Sequence, residues 1–238
     1  MNPYQQSVSR VGYSTSQTVD TRARFIVRTY NHLFGALALF TAIEIGLFKS
    51  GLADSIAVAL LSTGYGWLVV MGGFMLVGWL ASRTAFSSNS VAAQYAALAG
   101  FVAAEAIIFV PLLYVAERFA PSTIKSAAAV TLVGFAGLTA IAFATRKDFS
   151  FLGAVLRWAG FGALLLIGAS IVFGFQLGTL FSVAMIVFAG AAILYDTSNV
   201  IRRFPEDRYV AASLQLFASV ALMFWYVLRL MMSLSSRN

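Results

Sequence analysis

Cysteine is absent from the 238 residues, and histidine occurs once. The first absence excludes a disulfide framework, a thiol nucleophile and a thiolate metal site, and the second argues against a histidine-based metal centre. Charge is scarce as well. Asp, Glu, Lys and Arg together make up 11% of the chain and apolar residues 60%, against about 25% and 45–50% in an ordinary soluble domain. Several enzyme signatures are missing: there is no H-E-x-x-H, no G-x-S-x-G elbow and no G-x-x-x-x-G-K-[ST] phosphate loop. None of Lys49, Lys125 and Lys147 falls in the middle of an apolar run, where a retinal Schiff base would need one. These absences lead to the expectation of a protein that is not an enzyme and holds no cofactor.

What is present is long apolar sequence, with a mean hydropathy of +0.85. Apolar blocks fall at 29–48, 65–82, 91–114, 123–144, 151–173, 178–200 and 210–232. A helical span needs about 20 such residues, so the blocks predict seven spans. The stretch Gly51 to Ser62 reads as loop or as an interfacial helix. No block alternates as barrel strands do, and backbone groups in lipid must be satisfied internally, so the fold class is all-α. Residues 1–24 form a polar, disordered tail in this reading, and 25–238 form one transmembrane domain. The tail is not a signal peptide, because no short apolar core precedes the first long block.

The net charge of +7 reads as topology and anionic-lipid contact, with no nucleic-acid partner. One side of the membrane collects Arg10, Arg22, Arg24, Arg28, Arg83, Arg146, Lys147, Arg202, Arg203 and Arg208. The other has Lys49, Arg118, Lys125 and Arg237, with Arg229 near the end of the last span. The positive-inside rule puts the N-terminus in the cytoplasm and, after seven spans, the C-terminus outside.

Small residues repeat every four positions at Ala136, Ala140 and Ala144, and at Gly100 and Ala104, which predicts close helix contact along those faces. Pro111 is expected to bend or break the third span. His32 reads as an interfacial hydrogen-bonding residue, and Asp148 as a helix cap with Ser150 in competition.

Ionisable side chains inside a span cost roughly 2.5–3.5 kcal/mol each on insertion scales and need a partner, water or a proton. Glu44, Glu105, Arg157 and Asp196 are of this kind. At a rise of about 1.5 Å per residue, Asp196 lies about 8 Å inside the cytoplasmic end of its span and Arg157 about 10 Å. Gln215 and Ser219, one turn apart on the last span, reach about 8 and 13 Å. These four are expected to cluster. Glu44 and Glu105 stand about 20 Å from the cytoplasmic ends and form a second acidic level. Two stacked acidic levels suit a cation or proton path, because carboxylates replace part of an ion's water shell. The bland alternatives are an Asp196 held by Arg157 or by Thr197, Ser198 and Asn199, and protonated glutamates bonded across helices. Arg157 and Arg229 can also snorkel to the interface.

Four segments carry a resemblance. They are Arg28-Thr29-Tyr30-Asn31-His32-Leu33, Arg146-Lys147-Asp148-Phe149-Ser150-Phe151-Leu152-Gly153, Ile193-Leu194-Tyr195-Asp196-Thr197-Ser198-Asn199-Val200-Ile201 and Ser213-Leu214-Gln215-Leu216-Phe217. In this order they resemble the Bax inhibitor-1 family, also called the transmembrane Bax inhibitor motif family, over about 25–232. The resemblance implies a seven-helix bundle with the last helix near its centre, in a bacterial inner membrane. In some members it implies a pH-sensitive calcium leak, gated by an aspartate of the sixth span with an aspartate of the seventh and an arginine of the second. Asp196 matches the first aspartate and Arg83 the arginine, while Ser219 stands in place of the second aspartate.

The expected function is therefore a passive cation leak with calcium as the permeant ion. Asp196 would contact the ion at the gate, and Ser219, Arg83, Arg157, Gln215, Glu105 and Glu44 would line the path. The alternative, which the resemblance to members lacking the second aspartate implies, is a regulator of a membrane-anchored ATP-dependent protease.

Overall fold

The computed structural model describes the backbone of residues 3–62 and 66–235 and the side chains of 20–62 and 70–235. Among the described residues the secondary structure is helical throughout: α1 (Pro3–Lys49), α2 (Leu52–Leu61), α3 (Gly66–Ser87), α4 (Val91–Phe119), α5 (Pro121–Thr145), α6 (Leu152–Phe173), α7 (Thr179–Arg202) and α8 (Tyr209–Ser235). Six of these, α1 from Asp20 onward and α4 to α8, are long and apolar enough to cross a membrane. Helix α3, 22 residues long, occupies the block expected as the second span. The stretch between the first two blocks is helical, as α2.

Local chemistry accounts for the helix ends. Gly51 and Gly174 take left-handed φ angles of 76° and 70°, a conformation that costs a side-chain-bearing residue about 1 kcal/mol or more. Ser90 caps α4 by accepting the Ala93 N–H at 3.3 Å, and proline opens α5 at its first position. Pro111 sits inside α4, which continues through it as one helix.

Helix α8 is the centre of the bundle and packs against α1, α3, α4, α5 and α7. Its most apolar stretch is 72% buried, whereas the corresponding stretch of α6 buries nothing. Helix α6 is apolar on every side and leans mainly on α7, the pattern of a helix solvated by lipid. An aromatic column ties α1 and α4 to α8. Phe40 meets Phe109 at 5.1 Å and Phe217 at 6.1 Å, Phe101 meets Phe217 at 6.1 Å, and Phe109 stacks on Phe224 at 5.6 Å. Each such pair adds about 0.5–1.5 kcal/mol beyond its buried area.

Three expectations about the fold need correction. The division at 24/25 falls inside α1, and bundle contacts begin before it. Arg22 donates to the carbonyls of Val200, Ile201 and Phe204 at 2.7, 3.0 and 2.6 Å. The side chains of 1–19 lie outside the described residues. The small-residue face of α5 is not a contact face either, and that of α4 is covered only in part, at the half-buried Ala104. Ala136, Ala140, Ala144 and Gly100 are exposed, and α5 buries Ala127, Thr131, Phe135 and Ala142 instead. Facing lipid, small residues gain nothing from close approach, and the stripe about 100° away that carries Phe135 has more apolar area to bury.

Asp148, finally, caps no helix, since α6 begins beyond it at Leu152, behind Phe151, which makes no side-chain cap bond. Its carboxylate closes a turn, accepting the Ser150 N–H at 2.9 Å, and pairs with Arg203 at 3.1 Å. The first bond is local to the α5–α6 connection, and the second holds that connection against the end of α7.

Candidate functional site

The contact of α7 with α8 holds the buried polar core. Asp196, near the end of α7, is 3% exposed. Its Oδ1 accepts from Gln215 Nε2 at 2.7 Å and its Oδ2 from Ser219 Oγ at 2.5 Å. Gln215 and Ser219 are four residues apart on α8, so one helix face presents both donors to one carboxylate. A buried carboxylate carries a desolvation cost of several kcal/mol that such bonds must offset.

The structure thus brings together Asp196, Gln215 and Ser219, but neither arginine joins them. Arg157 lies on the exposed surface of α6 and donates from Nε to the Gly153 carbonyl of its own helix at 3.2 Å. Because α6 buries no residue, its long side chain stays at the periphery. Arg83 is exposed on α3, whose inward face carries Ala81 and Ala85, and its guanidinium lies 5.3 Å from the Trp79 ring centre. The run Thr197, Ser198 and Asn199 does not hold Asp196. Ser198 Oγ accepts the Phe149 N–H at 3.1 Å, and the Asn199 carbonyl accepts the Arg203 and Phe204 N–H groups.

The two expected acidic levels lie closer in height than the depth arithmetic implies. Phe101 faces Phe217, and Phe109 faces Phe224 and Trp225. Glu105, midway between them on α4, is then level with about residues 220–221 of α8, roughly 3 Å of helix rise from Ser219. Counting from span ends fails here because helices do not start at a common height.

Glu105 is 7% exposed and lines a cavity of about 500 Å³ between α3, α4, α6 and α8. Among the described residues its carboxyl has no hydrogen-bond or ion-pair partner. The cavity runs to the α6–α7 connection, where Arg229 of α8 donates to the Leu177 carbonyl at 2.9 Å. Glu44 is separate. It lies one turn beyond Phe40 on α1, 6% exposed, with neither carboxyl oxygen hydrogen-bonded and no place in the cavity wall.

The comparisons with known proteins decide the family. The model described as inhibitor of apoptosis-promoting Bax1 matches residues 22–237. The chain belongs to the Bax inhibitor-1 family. An uncharacterized protein of Pseudomonas aeruginosa is 39% identical over 113 residues, covering 46% of this chain and 49% of the relative. A BI1-like protein of Arabidopsis thaliana is 37% identical over 111 residues, covering 43% and 42%. An uncharacterized membrane protein of Vibrio cholerae is 28% identical over 124 residues, covering 50% and 53%. The chain spans about half the length of the curated relatives it matches.

As a Bax inhibitor-1 family membrane protein with several apolar helices, the chain sets Ser219 against Asp196 across α7 and α8. A serine hydroxyl bonds to the carboxyl without bringing a second ionisable group to it. No group of three or more His, Asp or Glu side chains that could hold a metal ion occurs among the described residues. Sequence reasoning passed over Arg229 as a snorkelling residue and Arg22 as part of a tail. Arg229 could have been flagged by its place on the helix that also carries Gln215 and Ser219. No sequence signal pointed to Arg22, because its partners are backbone carbonyls about 180 residues away.

Proposed function

We propose that this family member is a passive, non-catalytic cation leak with seven spans, α3 being the second, in a bacterial inner membrane. The α7–α8 connection faces the cytoplasm, together with Arg146, Lys147, Arg202, Arg203 and Arg208, and the C-terminus faces outward. Calcium is the permeant ion. The observation that carries this reading is a pair of buried carboxyls about one helical turn apart in height, one tied between α7 and α8 and the other bare in a cavity. An ion arriving from the outer side through the cavity meets Glu105 first. Passage past Asp196 requires the α7–α8 contact to loosen, so occupancy or protonation there sets the open fraction.

The test is calcium-dye-loaded liposomes holding the purified protein, read from pH 5 to 8. Influx above that of empty vesicles is expected, with Asp196→Asn changing its rate. Absence of influx throughout that range removes the leak, and an unchanged Asp196→Asn rate removes the gate.

The second reading, a regulator of a membrane-anchored ATP-dependent protease, is favoured by the 47 residues of α1. At about 1.5 Å per residue α1 is roughly 70 Å long, more than twice the hydrocarbon thickness of about 30 Å. Its first part is then available to a partner. Crosslinking in native membranes should recover the protease, and deletion of residues 1–21 should abolish the effect on proteolysis while leaving the bundle intact; an effect that persists removes the tail as the docking element.

A further inference from the structure

The cavity at Glu105 is too large and too apolar to be explained by an inorganic ion alone. A cation with six waters, at about 30 Å³ each, needs roughly 200 Å³, less than half of the 500 Å³ present. The volume falls instead within the roughly 300–1,000 Å³ of small-molecule sites. The walls include Phe74, Phe109, Trp225 and Tyr226. A bound divalent ion needs about six to eight oxygen ligands, which these rings cannot supply. They can supply apolar contact, which suits the hydrocarbon part of an organic cation.

Charge complementarity selects the occupant. Glu105 is more than nine-tenths buried, lines the cavity and has no protein partner among the described residues. A buried carboxylate left unpaired is costly, and an ammonium group brought to it removes that cost. Arg229 stands toward the α6–α7 connection, held to the Leu177 carbonyl, so the positive end of a ligand is directed away from it and toward Glu105. The hydrocarbon body then lies along the aromatic walls.

We propose that this cavity is a binding site for a lipophilic organic ammonium ion, its charge on Glu105 and its apolar part against Phe74, Phe109 and Trp225. The site does not depend on the leak. It calls for no resident metal and no movement at Asp196.

The experiment is calorimetric titration of the full chain in lipid nanodiscs with 4-phenylbutylammonium and with its neutral counterpart 4-phenylbutanol. Saturable binding of the ammonium is expected, with the alcohol weaker by about tenfold or more. Glu105→Gln should erase that preference. Ile171→Trp, on the loosely packed α6 wall of the cavity, should weaken both compounds by filling the space. Arg157→Gln, on the exposed face of α6, should change neither. Equal binding of the two compounds, or a preference that survives Glu105→Gln in a protein of unchanged circular dichroism, overturns the proposal. So does unaltered binding in Ile171→Trp. Calcium influx measured on the same purified protein reconstituted into dye-loaded liposomes separates the two ideas: saturable ammonium binding without influx removes the leak alone, and influx without such binding removes this site alone.

Discussion

Ser219 donates a hydrogen bond from its hydroxyl to Oδ2 of Asp196 across the α7–α8 contact, at 2.5 Å, while Gln215 donates to Oδ1 at 2.7 Å. Removing either donor leaves a carboxylate oxygen buried without a partner, which costs about 1–3 kcal/mol. Ser219→Ala should therefore lower unfolding stability in detergent by that amount, and Ser219→Thr, which keeps the hydroxyl, by less. In Asp196→Ala the hydroxyl has lost its acceptor, so adding Ser219→Ala should cost little more. Strict additivity of the two changes would show that the bond contributes no coupling.

This bond marks how far the sequence could be read. Asp196, Gln215 and Ser219 were legible because helical spacing sets 215 and 219 on one face and hydropathy makes an intramembrane acid conspicuous. The central place of α8 followed from family resemblance, and the all-helical class from block length. Arg83 came only from the family resemblance, whereas Arg157 was misplaced by depth counting. Depth along a helix can be counted from sequence, but rotation about its axis depends on which neighbours the helix finds. Helix α6 is apolar on every side and offers no moment to reveal that rotation. Relative heights failed similarly, since Glu105 took its level from the packing of Phe101 and Phe109 on α8.

Arg22 spreads three donors over the final carbonyls of α7 and the turn beyond it, reaching Val200, Ile201 and Phe204 at 2.7, 3.0 and 2.6 Å. Its charge also complements the negative end of that helix. Phe25, one turn on, stacks on Phe204 at 6.5 Å, so α1 is tied to the helix that carries Asp196. Arg22→Gln is expected to cost about 1.5–3 kcal/mol, seen as a lower melting temperature in detergent. Arg22→Lys should restore only part of it, because an ammonium lacks the planar fork that reaches three carbonyls. Full rescue by lysine would reduce the contact to charge alone.

Gly153 lets a ring of α7 come close to the backbone of α6. A Cβ built there would lie 2.8 Å from Cε2 and 3.0 Å from Cζ and Oη of Tyr195, the residue before Asp196. Tyr195 must therefore shift if any side chain is added. Gly153→Ala is expected to cost about 1–3 kcal/mol, the usual range for overpacking. Gly162 has open space at the same test and gives the matched control, so Gly162→Ala should be close to neutral. Cysteine pairs introduced across α6 and α7 should crosslink more slowly in Gly153→Ala. Equal effects of the two alanines would show that the Tyr195 ring yields freely.

Asp148 gives the pH dependence that can be worked out with its sign. The backbone N–H of Ser150 holds its carboxyl below the usual carboxylate range, with further help from the Ser150 side chain and Arg203. A carboxyl whose folded value is depressed contributes stability above its unfolded value, near pH 3.9, and loses it as pH falls through the folded value. Between pH 5 and 8 the contribution is complete and constant. Asp148→Asn should therefore lower the melting temperature by the same amount throughout that interval, and the two proteins should converge only once the pH has fallen below the depressed folded value. Arg203→Gln should leave most of the difference between them, because the Ser150 N–H is the leading cause. A gap that persists unchanged at the acidic limit would mean that the asparagine disrupts the turn itself and that the charge on Asp148 contributes nothing to holding the α5–α6 connection on α7.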